Sequence, residues 1–360
     1  MRVMGFPGRY VQGPGAIASL GELARESGCR APMVLCDDVV ERALGERVPK
    51  ALAGASLPYS RLRFAGECTH GAIDEGAAQA AAAGADLIIG LGGGKTIDTA
   101  KGIARQLGCR LMIAPTVASN DSPTSRLIVI YDASHRLVEV QLMARNPDVV
   151  LVDTQVVVEA PQRFFRAGIG DALSKRYEAA QCASAGGLNF FGGTPPDTAG
   201  VLANRCHDVI VERGEQALAD VARRCATPDV ESVIEATVLL SGLGFESGGL
   251  SISHALLRGL SALPAAAASL HGEQVAWGTI VQLVLEERPA HEQRAHRELL
   301  LRLGLPDSLG ALGFGALSTA QIRQVATLTV AAPYITNFSR PLTADDIARA
   351  IEQAESAAAR

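Results

Sequence analysis

The sequence predicts an α/β amino-terminal domain built on a parallel sheet, followed by an all-α carboxy-terminal domain. Three observations carry this reading. Short apolar runs alternate with amphipathic stretches through the first part of the chain. From Pro161 onward strand signals fade and helical periodicity dominates. Between Ala85 and Lys101, in ADLIIGLGGGKTIDTAK, an apolar strand runs into three glycines and then directly into a helical segment. The expected domains are residues 1–159 and 160–360.

Taken in order, Tyr10 to Gly15 reads as a short strand closing at Gly-Pro-Gly, with a helix following through Ala24. Met33 to Cys36 is a buried strand ending on Asp37 and Asp38. An acid in that position either bonds ribose hydroxyls or caps the next helix. A helix from Glu41 to Leu52, a strand near Arg61 to Phe64 and an alanine-rich helix from Ile73 to Ala83 lead to the glycine stretch. Its strand is Leu87 to Gly90, and its helix continues through Ile97 to Leu107. Arg110 to Ala114 form a strand entering the loop PTVASNDSPTS, which offers Thr116, Ser119, Asp121, Ser122, Thr124 and Ser125. Loops that leave buried strands carry ligand contacts in α/β proteins, and the same residue types also serve turns. Leu127 to Tyr131 and Leu137 to Leu142 flank Asp132 to Arg136 as a hairpin, and Val149 to Val152 give the last strand.

The 360 residues suffice for one large domain or two ordinary ones, and with 48% apolar residues a sizeable core is available. A net charge of −5 without a basic block argues against nucleic acid and against membrane surfaces as partners. The opening MRVMGFPGRYVQG lacks the pattern of a secretory signal, and no apolar run has the length of a bilayer span. Seven irregularly spaced cysteines without a Cys-x-x-Cys pair point to reduced, structural thiols and a cytoplasmic setting.

Gly92, Gly93 and Gly94 let a ligand approach the backbone, and the helix after them aims free N–H groups and its positive dipole end at the turn. A phosphate or pyrophosphate fits such a place; a ligand-free tight turn is the other reading. The nucleotide-hydrolase loop is disfavoured, because its first glycine would fall at Ile89. The usual dinucleotide fingerprint is also missed, since the suitable acid lies upstream of the glycines. Lys95 favours an anion.

In the helical half stand GIGDALSKRYE with Asp171, GFESGGLSISHALLRGL with His254, and SLHGEQVAWG with His271. One carboxylate and two imidazoles suffice for zinc with a coordination position left open. His254, in an apolar stretch, also reads as a satisfied core histidine, and His271 as a helix-start residue. His291 and His296 are spaced five apart, not the four that puts two histidines on one helical face, so their charged segment is expected to be a solvated helix. His70, His135 and His207 have no evident partners.

Together GLGGGKTIDTAK, PTVASNDSPTS, GIGDALSKRYEA, GFESGGLSISHA and LHGEQVAWG resemble the bacterial glycerol dehydrogenases, within the metal-dependent alcohol dehydrogenase and dehydroquinate synthase-like superfamily. The resemblance runs from the first strand to about Leu285. It implies a Rossmann-like NAD domain and a helical domain, with NAD and Zn2+ in an interdomain cleft. Asp37 would bind the adenosine ribose. Gly94 and Lys95 would line the pyrophosphate region, Gly92, Gly93 and Asp98 would also be cofactor-binding, and Thr116, Ser119, Ser125, Leu127 and Tyr131 would contact further parts of NAD. Asp171, His254 and His271 would ligate zinc, and Asp121 would hold a substrate hydroxyl. Iron-type relatives place a fourth ligand, a histidine, where this chain has Lys175, which favours the three-ligand zinc subgroup. Asn120, Ser122 and Arg126 depart from the glycerol enzymes around Asp121, and APYITNFSRPL fits them loosely.

The implied reaction is reversible oxidation of a small vicinal diol or polyol, such as glycerol to dihydroxyacetone, with zinc as Lewis acid and NAD as hydride acceptor. Asp121 and His254 are the catalytic candidates. A homo-oligomer, an octamer by the resemblance, is expected. The rival readings are a superfamily lyase or polyol-phosphate dehydrogenase, with Lys175, Arg176 and Arg258 as its basic candidates, and a noncatalytic nucleotide-binding protein.

Overall fold

The computed structural model describes residues 1–132 and 136–358. The middle of the expected hairpin turn, with His135, therefore lies outside the described residues. The chain forms two compact units. One comprises Phe6–Gln162 and Asp220–Leu239; the other comprises Met1–Gly5, Arg163–Ala219 and Leu240–Arg360.

Apolar runs in the first unit become strands β1 (Tyr10–Gly13), β2 (Pro32–Cys36), β3 (Ser60–Arg63), β4 (Leu87–Gly92), β5 (Arg110–Pro115), β6 (Leu127–Tyr131), β7 (Leu137–Leu142) and β8 (Val149–Asp153). Six of them make one parallel sheet in the order β1-β8-β5-β4-β2-β3, while β6 and β7 pair as an antiparallel hairpin. Leu87, Ile89 and Leu91 of β4 join the core on one face of the sheet; Ile88 joins the core on the other. Burial on both faces explains why these strands read as unbroken apolar runs. From β2 the connection runs outward to β3, then returns to β4 and continues to β5. The strand order thus reverses between β2 and β4, the place where open α/β sheets bind ligands beyond the carboxyl ends of their strands.

Two local expectations change in this unit, and the capping role left open between Asp37 and Asp38 falls to the first. The single helix expected from Glu41 to Leu52 is two, Asp38–Leu44 and Arg47–Gly54, because Gly45 turns the chain at φ 51°. The cap on the first is Asp37, whose Oδ1 accepts the Val40 N–H at 2.8 Å. Asp38 instead pairs with Arg63 at 2.8 and 2.5 Å. Asp220–Leu239, expected in the helical domain, packs with the sheet. There the Glu231 carboxylate takes Gln12 at 2.7 Å and Thr154 at 2.5 Å, and Thr124 donates to the Val238 carbonyl at 3.0 Å.

The second unit is helical as expected, apart from an isolated bridge between Arg2 and Thr194. Its longest helices are Gln162–Ser184 and Asp197–Ala222. The Ala290–Arg302 helix is not a solvated one, since it buries His296, Arg297, Leu299 and Leu300. Among the described residues no single helix is long and apolar enough to cross a membrane. A bent pair, Pro228–Gly248 with Ile252–Leu260, passes that test only jointly, and it is mostly buried inside the protein.

Candidate metal centre and nucleotide-binding turn

Three helices of the second unit deliver Asp171, His254 and His271 to one point. The Gln162–Ser184 helix carries Asp171, Lys175 and Glu178 on one face, at the four- and three-residue steps that align side chains. His254 lies on the Ile252–Leu260 helix, and His271 is the first residue of His271–Leu285. The ligand atoms of the three residues lie within 4.8 Å of one another. Oδ1 of Asp171 stands 3.3 Å from His254 Nε2 and 3.8 Å from His271 Nε2.

Glycine makes this convergence possible. A Cβ on Gly272 would stand 1.8 Å from the Ala167 carbonyl oxygen, and one on Gly170 would stand 2.5 Å from the Gly272 carbonyl oxygen. The two helices touch backbone to backbone beside Asp171 and His271. Glu273 fixes the start of the second helix: it accepts the Leu270 N–H at 2.8 Å and is gripped by Arg163 at 2.8 and 2.7 Å. Glu273, and not His271, therefore serves that helix end.

Glu178, which the motif reading passed over, organises His254. Its Oε1 accepts the N–H groups of Ser251 and His254 at 2.9 and 3.1 Å, and its Oε2 stands 2.6 Å from His254 Nδ1. A carboxylate can only accept, so Nδ1 carries the proton and Nε2 is the nitrogen turned to Asp171. Burial pushes the His254 pKa down, but the Glu178 and Asp171 carboxylates outweigh it and raise the value to about 9. Burial acts the opposite way on Asp171, where the Lys175 ammonium and both imidazoles hold the carboxyl well below its usual range. Lys175 Nζ lies 2.5 Å from Asp171 Oδ1 and 3.4 Å from His254 Nε2.

This donor set suits a zinc ion. One carboxylate and two imidazoles match an open three-ligand site, and separations of 3.3 and 3.8 Å from Asp171 Oδ1 to the two imidazole nitrogens are within reach of one ion with bonds of about 2.1 Å. Asp171 Oδ2 is buried without a protein hydrogen bond, and Glu178 supplies the orienting carboxylate that metal-binding histidines use. The core-histidine reading of His254 is thus half right. The ring is held through Nδ1 by Glu178, while Nε2 faces Asp171 Oδ1 and the Lys175 ammonium.

In the sheet unit, β4 ends at Gly92 and the Gly94–Leu107 helix starts with no side chain capping it, so its first N–H groups suit an anion. Thr116 N–H donates to the Gly92 carbonyl at 3.1 Å, which brings the loop after β5 beside this turn. Lys95 pairs with Glu67 at 2.6 Å and lies over the Tyr131 ring at 5.6 Å. Asp37 follows β2, on the other side of the reversal in strand order.

The loop is held from beneath by Lys101, which the sequence reading did not single out. Its fully buried Nζ reaches Asp98 Oδ1 at 3.1 Å, the Ser122 carbonyl at 2.8 Å, Ser122 Oγ at 3.1 Å, Ser125 Oγ at 3.3 Å and the Leu127 carbonyl at 2.7 Å. Asp98 also accepts Ser122 Oγ at 2.7 Å and the Val129 N–H at 3.1 Å. Asp98, expected against the cofactor, is turned to this internal network. Asp121 begins the short Ser122–Thr124 turn and is 8% exposed; Ser119 lies in the same loop.

Residues 7–154 match the family profile described as iron-containing alcohol dehydrogenase. A glycerol dehydrogenase of Escherichia coli O6:H1 is 41% identical over 327 residues, 90% of this chain and 88% of that one. A glycolaldehyde reductase of Halobacterium salinarum is 41% identical over 307 residues, 85% of this chain and 84% of that one. The crystal structure of a probable glycerol dehydrogenase from Sinorhizobium meliloti superposes with a TM-score of 0.93 at 37% identity, covering 99% of this chain and 98% of that one.

Proposed function

The chain belongs to the iron-containing alcohol dehydrogenase family, and from that membership we propose that it is a zinc-dependent oxidoreductase moving hydride between NAD and a small vicinal diol or polyol, with glycerol and dihydroxyacetone as the leading pair. The observation that carries the reading is the meeting of Asp171, His254 and His271 in one cluster, with Asp171 and His254 buried and His271 on its exposed side. Two relatives named for glycerol and for glycolaldehyde share a chemistry, a carbinol or carbonyl next to a second oxygen.

In this reading Asp171 Oδ1, His254 Nε2 and His271 Nε2 hold the ion, and Glu178 keeps His254 in the tautomer that presents Nε2. Zinc bound there supplies Lewis-acid polarisation of an alcohol oxygen. NAD bound at the glycine turn would supply the hydride acceptor. The uncapped N–H groups at Gly94 and Lys95, with Gly92 and Gly93 giving close approach, bind the pyrophosphate. Asp37 accepts a ribose hydroxyl through the carboxylate oxygen its cap does not use. Thr116, Ser119, Ser125, Leu127 and Tyr131 shape the rest of the cofactor site, with Asp98 and Lys101 acting as the frame of that loop. Asp121 orients a substrate hydroxyl.

The phosphate-recognising alternative needs a basic cluster at the metal, yet Arg176 is turned to Asp208 and His207 at 3.4 and 3.3 Å. The proposal extends to a cytoplasmic homo-oligomer, an octamer by the family resemblance, and names the domains as an NAD-binding unit and a metal-binding unit. The test is a panel of diols, hydroxyketones and polyol phosphates, assayed with NAD and with NADP after zinc loading. Turnover of glycerol with NAD above that of glycerol phosphate is expected. Turnover of the phosphates alone, or of no diol at all, overturns the reading.

A further inference from the structure

We propose that Lys175 is a tethered cation that competes with a divalent metal ion for Asp171, so that this chain holds its metal loosely and loads it by displacing the ammonium. The inference rests on the zinc reading above and deepens it.

Lys175 follows Asp171 by one turn of the Gln162–Ser184 helix, and neither side chain is more than 1% exposed. Its Nζ is 2.5 Å from Oδ1 of Asp171, the oxygen that also faces the Nε2 atoms of His254 and His271. The ammonium is 3.4 Å from His254 Nε2 as well. It therefore touches two of the three atoms a metal would use. An ion bonded to Oδ1 and Nε2 at about 2.1 Å shares that oxygen with a second positive centre.

Formal charge sharpens the conflict. Two buried carboxylates, Asp171 and Glu178, balance a divalent ion unaided. With Lys175 present, one of those negative charges is already matched, and a divalent ion leaves the cluster with a positive surplus that burial does not screen. The lysine stem can yield by rotation about its four methylenes, and Nζ already stands 5.7 Å from the Phe245 ring, an aromatic face that accepts a displaced cation. A neutral residue at this position removes the competitor while keeping all three ligands.

The experiment compares zinc binding by the full-length protein and by Lys175→Met, after chelator dialysis, through competition with a fluorescent zinc indicator and through metal content after desalting. Lys175→Gln serves as a second variant, and circular dichroism with NAD binding verifies folding of each. Zinc affinity raised about tenfold or more in the neutral variants is expected. Equal or weaker affinity in folded variants overturns the competition while leaving the zinc reading in place. Failure of the parent and of both folded variants to take up stoichiometric zinc overturns the competition together with the zinc assignment. Asp171→Asn, which removes a ligand charge, is the control that must lose zinc in either background.

Discussion

His254 donates from Nδ1 to Oε2 of Glu178 at 2.6 Å, while Oε1 of the same carboxylate closes the start of the His254 helix. One side chain thus sets both the ring's tautomer and the position of the segment that carries it. Replacing Glu178 by Gln keeps a similar shape but lets the amide face Nδ1 with either an oxygen or an N–H group. We expect zinc retention to fall about 10- to 100-fold in Glu178→Gln. Metal content after a chelator titration checks this, and retention equal to the parent protein contradicts the orienting role.

Asp37 has two separable tasks. Its Oδ1 caps the Asp38–Leu44 helix, and the proposed ribose contact uses negative charge at the end of β2. Asn caps as well as Asp does, whereas Ala does not. Asp37→Asn is expected to keep thermal stability and to weaken NAD. Asp37→Ala is expected to weaken NAD and also to lose about 1 kcal/mol of stability. Calorimetric NAD titration beside urea unfolding separates the two, and unaltered NAD affinity in both variants removes Asp37 from the cofactor site.

These cases show what the sequence made legible. Strand, glycines and helix at Leu87–Leu107 are contiguous, so local pattern alone located the turn. The sheet followed from apolar runs buried on both faces. Asp171, His254 and His271 are far apart in the chain, and only the family resemblance joined them before the fold did. Glu178 and Lys101 escaped because a buried charge is defined by its partners, which helical periodicity does not reveal. Asp220–Leu239 was misplaced for a similar reason: an amphipathic helix records that it has a buried face, not which neighbour covers it. His296 was read as solvated because charged neighbours surround it in sequence, while its own side is turned inward.

Among the described residues Lys101 is the charge that neutralises Asp98, and both are buried. Removing one partner strands the other charge. Lys101→Met is expected to destabilise the protein by about 3 kcal/mol or more, and the double change Lys101→Met with Asp98→Asn to recover part of that loss. NAD affinity should fall with Lys101→Met, because Ser122, Ser125 and Leu127 lose their common anchor. Urea unfolding of the four proteins of the cycle measures the coupling, and additive losses argue against the network.

His296 lies edge-on to Tyr177 with neither ring nitrogen hydrogen-bonded, and burial lowers its pKa to about 3. His207, also perpendicular to the Tyr177 ring, is lowered to about 4, again chiefly by burial. The ordinary value is 6.5, so below it the unfolded chain binds protons that the folded chain refuses. Stability falls as pH drops from about 6.5 toward 4, and neither ring contributes a pH slope above that window. His296→Phe should flatten the decline without lowering stability at pH above 7. Urea midpoints on both sides of the window test this, and parallel declines in the two proteins refute it.

Gly272 is the tightest helix contact beside the metal ligands, with the place of a Cβ only 1.8 Å from the Ala167 carbonyl oxygen and 2.6 Å from its carbon. Both obstacles are backbone, so no rotamer change relieves them. Gly272→Ala must push the His271–Leu285 helix away from Gln162–Ser184, and His271 moves with it while Asp171 stays. In an exposed helix Ala is favoured over Gly by about 1 kcal/mol, so a substitution that is stabilising by propensity is expected to destabilise here. Zinc affinity should fall together with unfolding free energy, because a shift of one ligand by a fraction of a bond length spoils the coordination. NAD affinity, which depends on the other unit's turn, should stay near the parent value. Measuring all three on Gly272→Ala distinguishes a local clash from general misfolding, and unchanged zinc affinity in a stable protein means that the glycine contact does not set the ligand geometry.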